Sequence, residues 1–145
     1  MIKKERKIPL TIRKRTALLR RLPPSHPKRP QIEKQLAKYN AGYRGERSIE
    51  YYLSFLPEKQ YHIFHDLRLT SGDHFFQLDT LLVSPSFILI LEVKNISGTL
   101  HFDNTFHQLI RTIEDRKEGF NDPLLQVEHQ KTQLANWLSQ HKFPP

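Results

Sequence analysis

Two acids and a lysine are spaced to do chemistry: Asp79, then Glu92 and Lys94 on either side of one valine. Carboxylates held close together repel unless one is protonated or a cation joins them. With a neighbouring ammonium, such a pair suits a bound hard divalent cation. Hydrophobic patterning must bring them together. Five consecutive apolar residues, Phe87 to Leu91, run into Glu92-Val93-Lys94, with Pro85-Ser86 before them and Asn95 and Gly98 after. This pattern predicts a strand buried on both faces, in the middle of a sheet. Alternation puts Ile88, Ile90, Glu92 and Lys94 on one face of it. The preceding run, Phe75 to Val83, has Asp79 as its only charge and leads into the turn Ser84-Pro85-Ser86. An antiparallel hairpin about that turn sets Asp79 near the level of Leu91 and Glu92. Either charge buried alone costs several kcal/mol, on the order of the penalty that remains after relaxation. An isolated Glu-x-Lys also suits an ion pair where a sheet meets water.

The flanking segments supply the scaffold. Residues 10 to 22 carry Ile12, Leu18, Leu19 and Leu22 on a loose stripe flanked by arginines, which predicts a basic amphipathic helix. Four prolines between Pro23 and Pro30 predict an extended spacer, and a second helix is expected to start near Gln31. Gly42 and Gly45 predict a break, followed by a helix from Glu46 to Leu56 with Ile49, Tyr52, Leu53 and Leu56 inward. Glu46 then sits in a first helical turn, where the macrodipole favours an acid. Tyr61 to Leu69 reads as a strand with His62 and His65 on opposite faces, and Ser71-Gly72-Asp73 as the turn into the Asp79 strand. Residues 98–103 and 106–113 read as a second hairpin around Asn104, with His101 opposite His107 and Phe102 opposite Phe106. Such a histidine pair suits a transition metal or an exposed pair among aromatics. Residues 114–119 read as a charged loop. Asp122-Pro123 opens a helix to about Gln140, with Leu124, Val127, Leu134, Trp137 and Leu138 on its apolar stripe. Gln126, in its first turns, suits contact with a substrate phosphate, orientation of a ligand, or plain solvation.

Four motifs occur in order: Gly42-Tyr43-Arg44-Gly45-Glu46, Gln77-Leu78-Asp79, Glu92-Val93-Lys94-Asn95-Ile96-Ser97-Gly98 and Asp122-Pro123-Leu124-Leu125-Gln126. Together they resemble the nuclease-related domain (NERD) family of the PD-(D/E)XK superfamily, over about residues 40 to 141. Leu78 replaces the proline of the superfamily's name, and Thr80 stands where many relatives carry histidine. The resemblance implies an α/β fold, a mixed central sheet flanked by the Glu46 and Gln126 helices. It implies a Mg²⁺- or Mn²⁺-dependent nuclease acting on DNA, with the choice between DNA and RNA left open. Asp79, Glu92, Lys94 and Glu46 would be catalytic, with Gln126 and Gln77 in support. Asp79, Glu92, Glu46 and the Val93 carbonyl would hold the metal. The superfamily core ends on a strand that is missing after Gln140, so the expectation is either a fragment of a longer protein or an open sheet edge that a second copy of the chain could cover. The alternative is a binding or targeting module that keeps the nuclease fold and does not cut.

Length and charge bound these readings. The 145 residues suit one compact core. Without cysteine there is neither a disulfide framework nor a thiolate metal site, and without an apolar leader or span the expectation is a cytoplasmic protein away from membranes. The net charge of +8 is uneven: residues 1–40 hold thirteen Lys or Arg against Glu5 and Glu33, whereas residues 41–145 hold ten against thirteen acids. The organisation expected is a basic helical extension, 1–40, before a nuclease-like domain, 41–145. Arg13, Lys14, Arg15, Arg20, Arg21, Lys28 and Arg29 are the candidate phosphate contacts.

Overall fold

The computed structural model describes residues 1–143. Along the chain the elements are β1 (Ile2–Lys4), α1 (Leu10–Arg21), α2 (Arg29–Leu53), β2 (His62–Ser71), β3 (His74–Val83), β4 (Ile88–Leu91), β5 (Thr99–Asp103), β6 (Gln108–Ile113), β7 (Arg116–Asn121) and α3 (Pro123–Gln140). They form a mixed α/β structure with two sheets, divided into two compact units. One unit comprises Met1–Glu5, Leu56–Glu92 and the chain from Ile96 on; the other comprises Arg6–Phe55 and Val93–Asn95.

In the first unit a four-stranded sheet runs β1-β2-β3-β4, with β1 parallel to β2 and the other pairs antiparallel. The apolar side chains of β3 make its core: Phe76, Leu78 and Leu81 are buried with Leu134 of α3, and Phe64, Ile90, Trp137 and Leu138 pack around them. The strand predicted to lie in the middle is instead an edge. β4 pairs only with β3 among the described residues, and Phe87, Ile88 and Leu89 are 48%, 44% and 43% exposed. An unbroken apolar run indicates burial on both faces only if strands flank both sides; here β3, paired to β2 and β4, takes the central place.

The hairpin turns carry the expected chemistry. Gly72 has φ +57 between Ser71 and His74, a conformation glycine reaches at no steric cost. Ser84 closes the β3–β4 turn, its hydroxyl accepting from the Ser86 and Phe87 N–H groups.

The second sheet, β5-β6-β7, departs from expectation twice. His101 lies opposite Ile110 and Phe102 opposite Leu109, so the predicted His101–His107 and Phe102–Phe106 pairs do not form. The reason is the turn: the Asp103 carboxylate accepts from Thr105 N–H at 2.9 Å and Phe106 N–H at 3.1 Å, which spreads the loop over residues 104–107. Residues 116–121 are a strand rather than a loop. Glu114 and Asp115, at φ 47 and 61, make a two-residue turn, and Arg111 pairs with Glu118 across the ladder.

The second unit is built on α1 and α2. Arg29 ends α1 by donating from Nη1 to the Leu19 and Leu22 carbonyls, both at 2.9 Å. The predicted break at the glycines is absent, since α2 is continuous from Arg29 to Leu53. Gly45 serves close approach instead: a Cβ there would lie 2.3 Å from Asn95 Cβ, and Asn95 Nδ2 donates to the Ala41 carbonyl at 2.7 Å.

Candidate active site

In the first unit the β3–β4 ladder ends on Thr80 paired with Leu91, and the two central acids, Asp79 and Glu92, are the residues next to that pair. On its other side β3 pairs His65 with Thr80 and Leu67 with Leu78, and the ladder skips Asp66 and Asp79 between them. Asp66 has φ +49, an uncommon conformation for a residue other than glycine, and its carbonyl accepts from Lys4 Nζ at 2.6 Å. Beneath this irregularity His65 and Thr80 are fully buried, with Nδ1 and Oγ1 3.0 Å apart.

Both oxygens of the half-buried Glu92 carboxylate are held by α3. Gln126 Nε2 donates to Oε1 at 2.7 Å, and Gln130 Nε2 donates to Oε2 at 3.0 Å. Gln130 also donates to the Gln77 carbonyl at 3.1 Å, tying β3, Glu92 and α3 together through one amide. Gln77 therefore takes part through its backbone, while its side chain is exposed. These amides orient the carboxylate. Gln130 is missing from the sequence-based candidates, although its i, i+4 spacing from Gln126 puts both on one helix face. It is 5% exposed, and its Oε1 is buried with no hydrogen-bond partner among the described residues.

The second unit holds the other predicted residues. Glu46 lies in mid-helix, so a first-turn role is excluded by the continuity of α2. Its Oε2 accepts from Arg6 Nη1 at 2.7 Å, and Arg6 Nε also donates to Glu50 Oε1 at 3.1 Å. The Arg6 side chain is only 2% exposed, which makes it the centre of a partly buried ion-pair cluster. Nothing local in the sequence marks Arg6 out, because its partners lie 40 and 44 residues away. Val93 is half-buried and Lys94 exposed, both beside Asn95, which anchors this short segment to α2.

The basic residues differ in what holds them. Arg13, Lys14, Arg20, Arg21 and Lys28 are exposed. Arg15 lies over the Tyr39 ring at 4.5 Å, and Arg29 pairs with Glu33 at 2.9 Å besides capping α1.

Among the described residues no three His, Cys, Asp or Glu side chains form a group able to hold a metal. No described helix is long and apolar enough to cross a membrane.

Comparison with known proteins gives the family. An uncharacterized protein of Bacillus anthracis is 23% identical over 114 residues, covering 78% of this chain and 53% of that protein. The chain thus spans about half the length of the curated relative it matches. No solved structure matches it. Residues 41–145 match the nuclease-related domain, NERD, and with most of its length inside that match the chain belongs to this family.

Proposed function

We propose that this chain is a Mg²⁺- or Mn²⁺-dependent nuclease that hydrolyses phosphodiester bonds in DNA. The observation that carries this reading is that the β3–β4 ladder ends on the pair Thr80–Leu91, with Asp79 and Glu92 each the next residue, and that Gln126 and Gln130 donate to the two oxygens of Glu92. The donors fit a hard cation: two carboxylates and the backbone carbonyl of Val93, which follows Glu92 in the chain. Mg²⁺ prefers oxygen ligands, keeps several waters and takes one or two carboxylates from protein, so two acids suffice. When bound, the metal polarises the phosphoryl oxygen and lowers the pKa of water.

The chain's own groups do the rest. Gln126 and Gln130 orient the Glu92 carboxylate, and β3 carries Asp79 beside Thr80. Lys94, two residues after Glu92, stabilises the charge that builds on the phosphoryl oxygens. Glu46, in the second unit, is paired with Arg6. Water oxygen bonds to phosphorus as the bond to the leaving sugar oxygen breaks; that oxygen takes up a proton, and the water's proton passes to solvent. The exposed Arg13, Lys14, Arg20 and Arg21 contact the phosphate backbone.

Purified protein with Mg²⁺ or Mn²⁺ and labelled DNA, beside Asp79→Ala and Lys94→Ala, tests this. Cutting by the wild type that falls at least a hundredfold in both variants supports the assignment; equal residual cutting in all three overturns it. A wild type that binds DNA without cutting would support the second reading, a binding module, which the exposed basic face of α1 favours.

A further inference from the structure

A cleft of about 320 Å³ opens in the first unit between the β5–β6 turn and the first turns of α3. Its walls are His107, Asn121, Asp122, Leu125, Gln126 and His129. Three features define what it can take. At this volume it is at the small end of ligand pockets, which suits a single planar group rather than a whole nucleotide chain. Its polar walls offer both donors and acceptors, from two carboxamides and two imidazoles, and Leu125 supplies an apolar surface. With the imidazoles neutral, its one formal charge is that of Asp122, whose Oδ1 already accepts from Leu124 N–H at 2.8 Å. A phosphate would meet net negative charge there, whereas a nucleobase would find edges to bond and imidazole faces on which to stack.

The cleft also borders the acids. Gln126 lines it and, through Nε2, holds Glu92 Oε1 at 2.7 Å. The turn that carries His107 is ordered by the Asp103 carboxylate, and His107 itself adopts φ +50. We propose that this cleft seats one unpaired base of a single-stranded nucleic acid, stacked between His107 and His129 and read by Asn121 and Gln126. This rests on the nuclease reading in one respect, that the strand is the substrate. Seating a base one side chain from Glu92 would set the strand's register at the reacting phosphate.

The test uses the full chain in EDTA at pH 8, so that binding is separated from cutting. The imidazole proton signals of His107 and His129, assigned with His107→Asn and His129→Gln, are followed while single-stranded dA, dC and dT pentamers are added. The same backbone without bases and inorganic phosphate are added in parallel. Expected is movement of both signals by at least one intact pentamer, with no movement by the base-free strand or phosphate. His129→Ala, on the exposed helix surface, is expected to weaken pentamer binding about tenfold. Equal movement by the base-free strand or by phosphate overturns the proposal in favour of an anion site, and no movement by any pentamer overturns it outright. Base seating without Mg²⁺-dependent cutting would sink the nuclease reading alone; cutting with both signals still would sink this one alone.

Discussion

Glu92 and Glu46 show two ways of keeping a carboxylate in a fold. Glu46 meets the guanidinium of Arg6, which balances its charge; Glu92 accepts from the amides of Gln126 and Gln130, which set its direction. The second arrangement makes Gln130 a positioning residue with a measurable signature. Gln130→Leu removes donations to Glu92 and to the Gln77 carbonyl, and hydrogen bonds to charged groups contribute about 1.5–3 kcal/mol. Denaturant unfolding should show a loss of about 1–3 kcal/mol. Mn²⁺ titration of the folded variant should show affinity about 10- to 100-fold weaker, the usual result of losing a group that orients a ligand. Gln130→Glu, which keeps the shape and adds charge, should destabilise the cation-free protein more than the cation-bound one. Asp103 gives a pH prediction. The Phe106 N–H first, then the Thr105 N–H, the Gln108 side chain and the His101 charge, hold its carboxyl below the usual 3.8, against desolvation. A carboxyl depressed on folding adds stability above its unfolded pKa and loses it as pH falls through the folded one. Asp103→Asn should therefore flatten the acid limb of the stability curve below about pH 4, and carboxyl NMR should find the Asp103 midpoint under 3.8.

The strands and helices were legible where the pattern was local. The turn at Ser84-Pro85-Ser86 gave the β3–β4 hairpin, Asp122-Pro123 gave the start of α3, and Gly72 gave the turn before β3. Three features could not be read because their causes lie elsewhere in the chain. β1 is three residues of no marked pattern, ordered by pairing with β2; β7 is charged and is ordered by its ladder with β6, in which Arg111 faces Glu118; β4 is an edge because no described strand covers it. The glycines of α2 are the clearest case, since identical residues three apart have different reasons to be there. An alanine at either position gains about 1 kcal/mol of helix propensity. At Gly42 nothing lies within 4 Å of the added carbon, so Gly42→Ala should raise stability by up to about 1 kcal/mol. At Gly45 the added carbon meets Asn95, and overpacking should outweigh propensity, for a net loss of about 1–3 kcal/mol. Asn95→Gly in the same chain removes the collision, so a double-mutant cycle should show strong positive coupling for positions 45 and 95 and none for 42 and 95.

For the molecule as a whole, the charge asymmetry of the sequence persists, but its boundary is not a simple break after residue 40. Met1 donates from its amino group to the carbonyls of Glu58 and Tyr61, Lys4 donates to those of His65 and Asp66, and β1 lies along β2. Cutting off the first 40 residues would strip a strand from the sheet that carries Asp79, so loss of binding after truncation would not show where phosphate is held. Charge removal at fixed fold answers the question. Arg13, Lys14, Arg20 and Arg21 are exposed on α1, whereas Arg15 and Arg29 are engaged with Tyr39, Gln35, Glu33 and the end of α1. Each phosphate neutralised contributes about 0.9 to the salt slope for duplex DNA and about 0.7 for a single strand. Replacing those four residues by glutamine should reduce the slope of log affinity against log salt by about 3 to 4 on duplex and by about 3 on single strands. The melting temperature should stay within a degree or two, since exposed substitutions shift stability little. Arg29→Gln should do the reverse, lowering the melting temperature by removing the two carbonyl contacts that end α1 while leaving the salt slope almost unchanged. If the fourfold variant binds with an undiminished slope, α1 is not the phosphate-binding face and the basic character of the first 40 residues serves something other than nucleic acid.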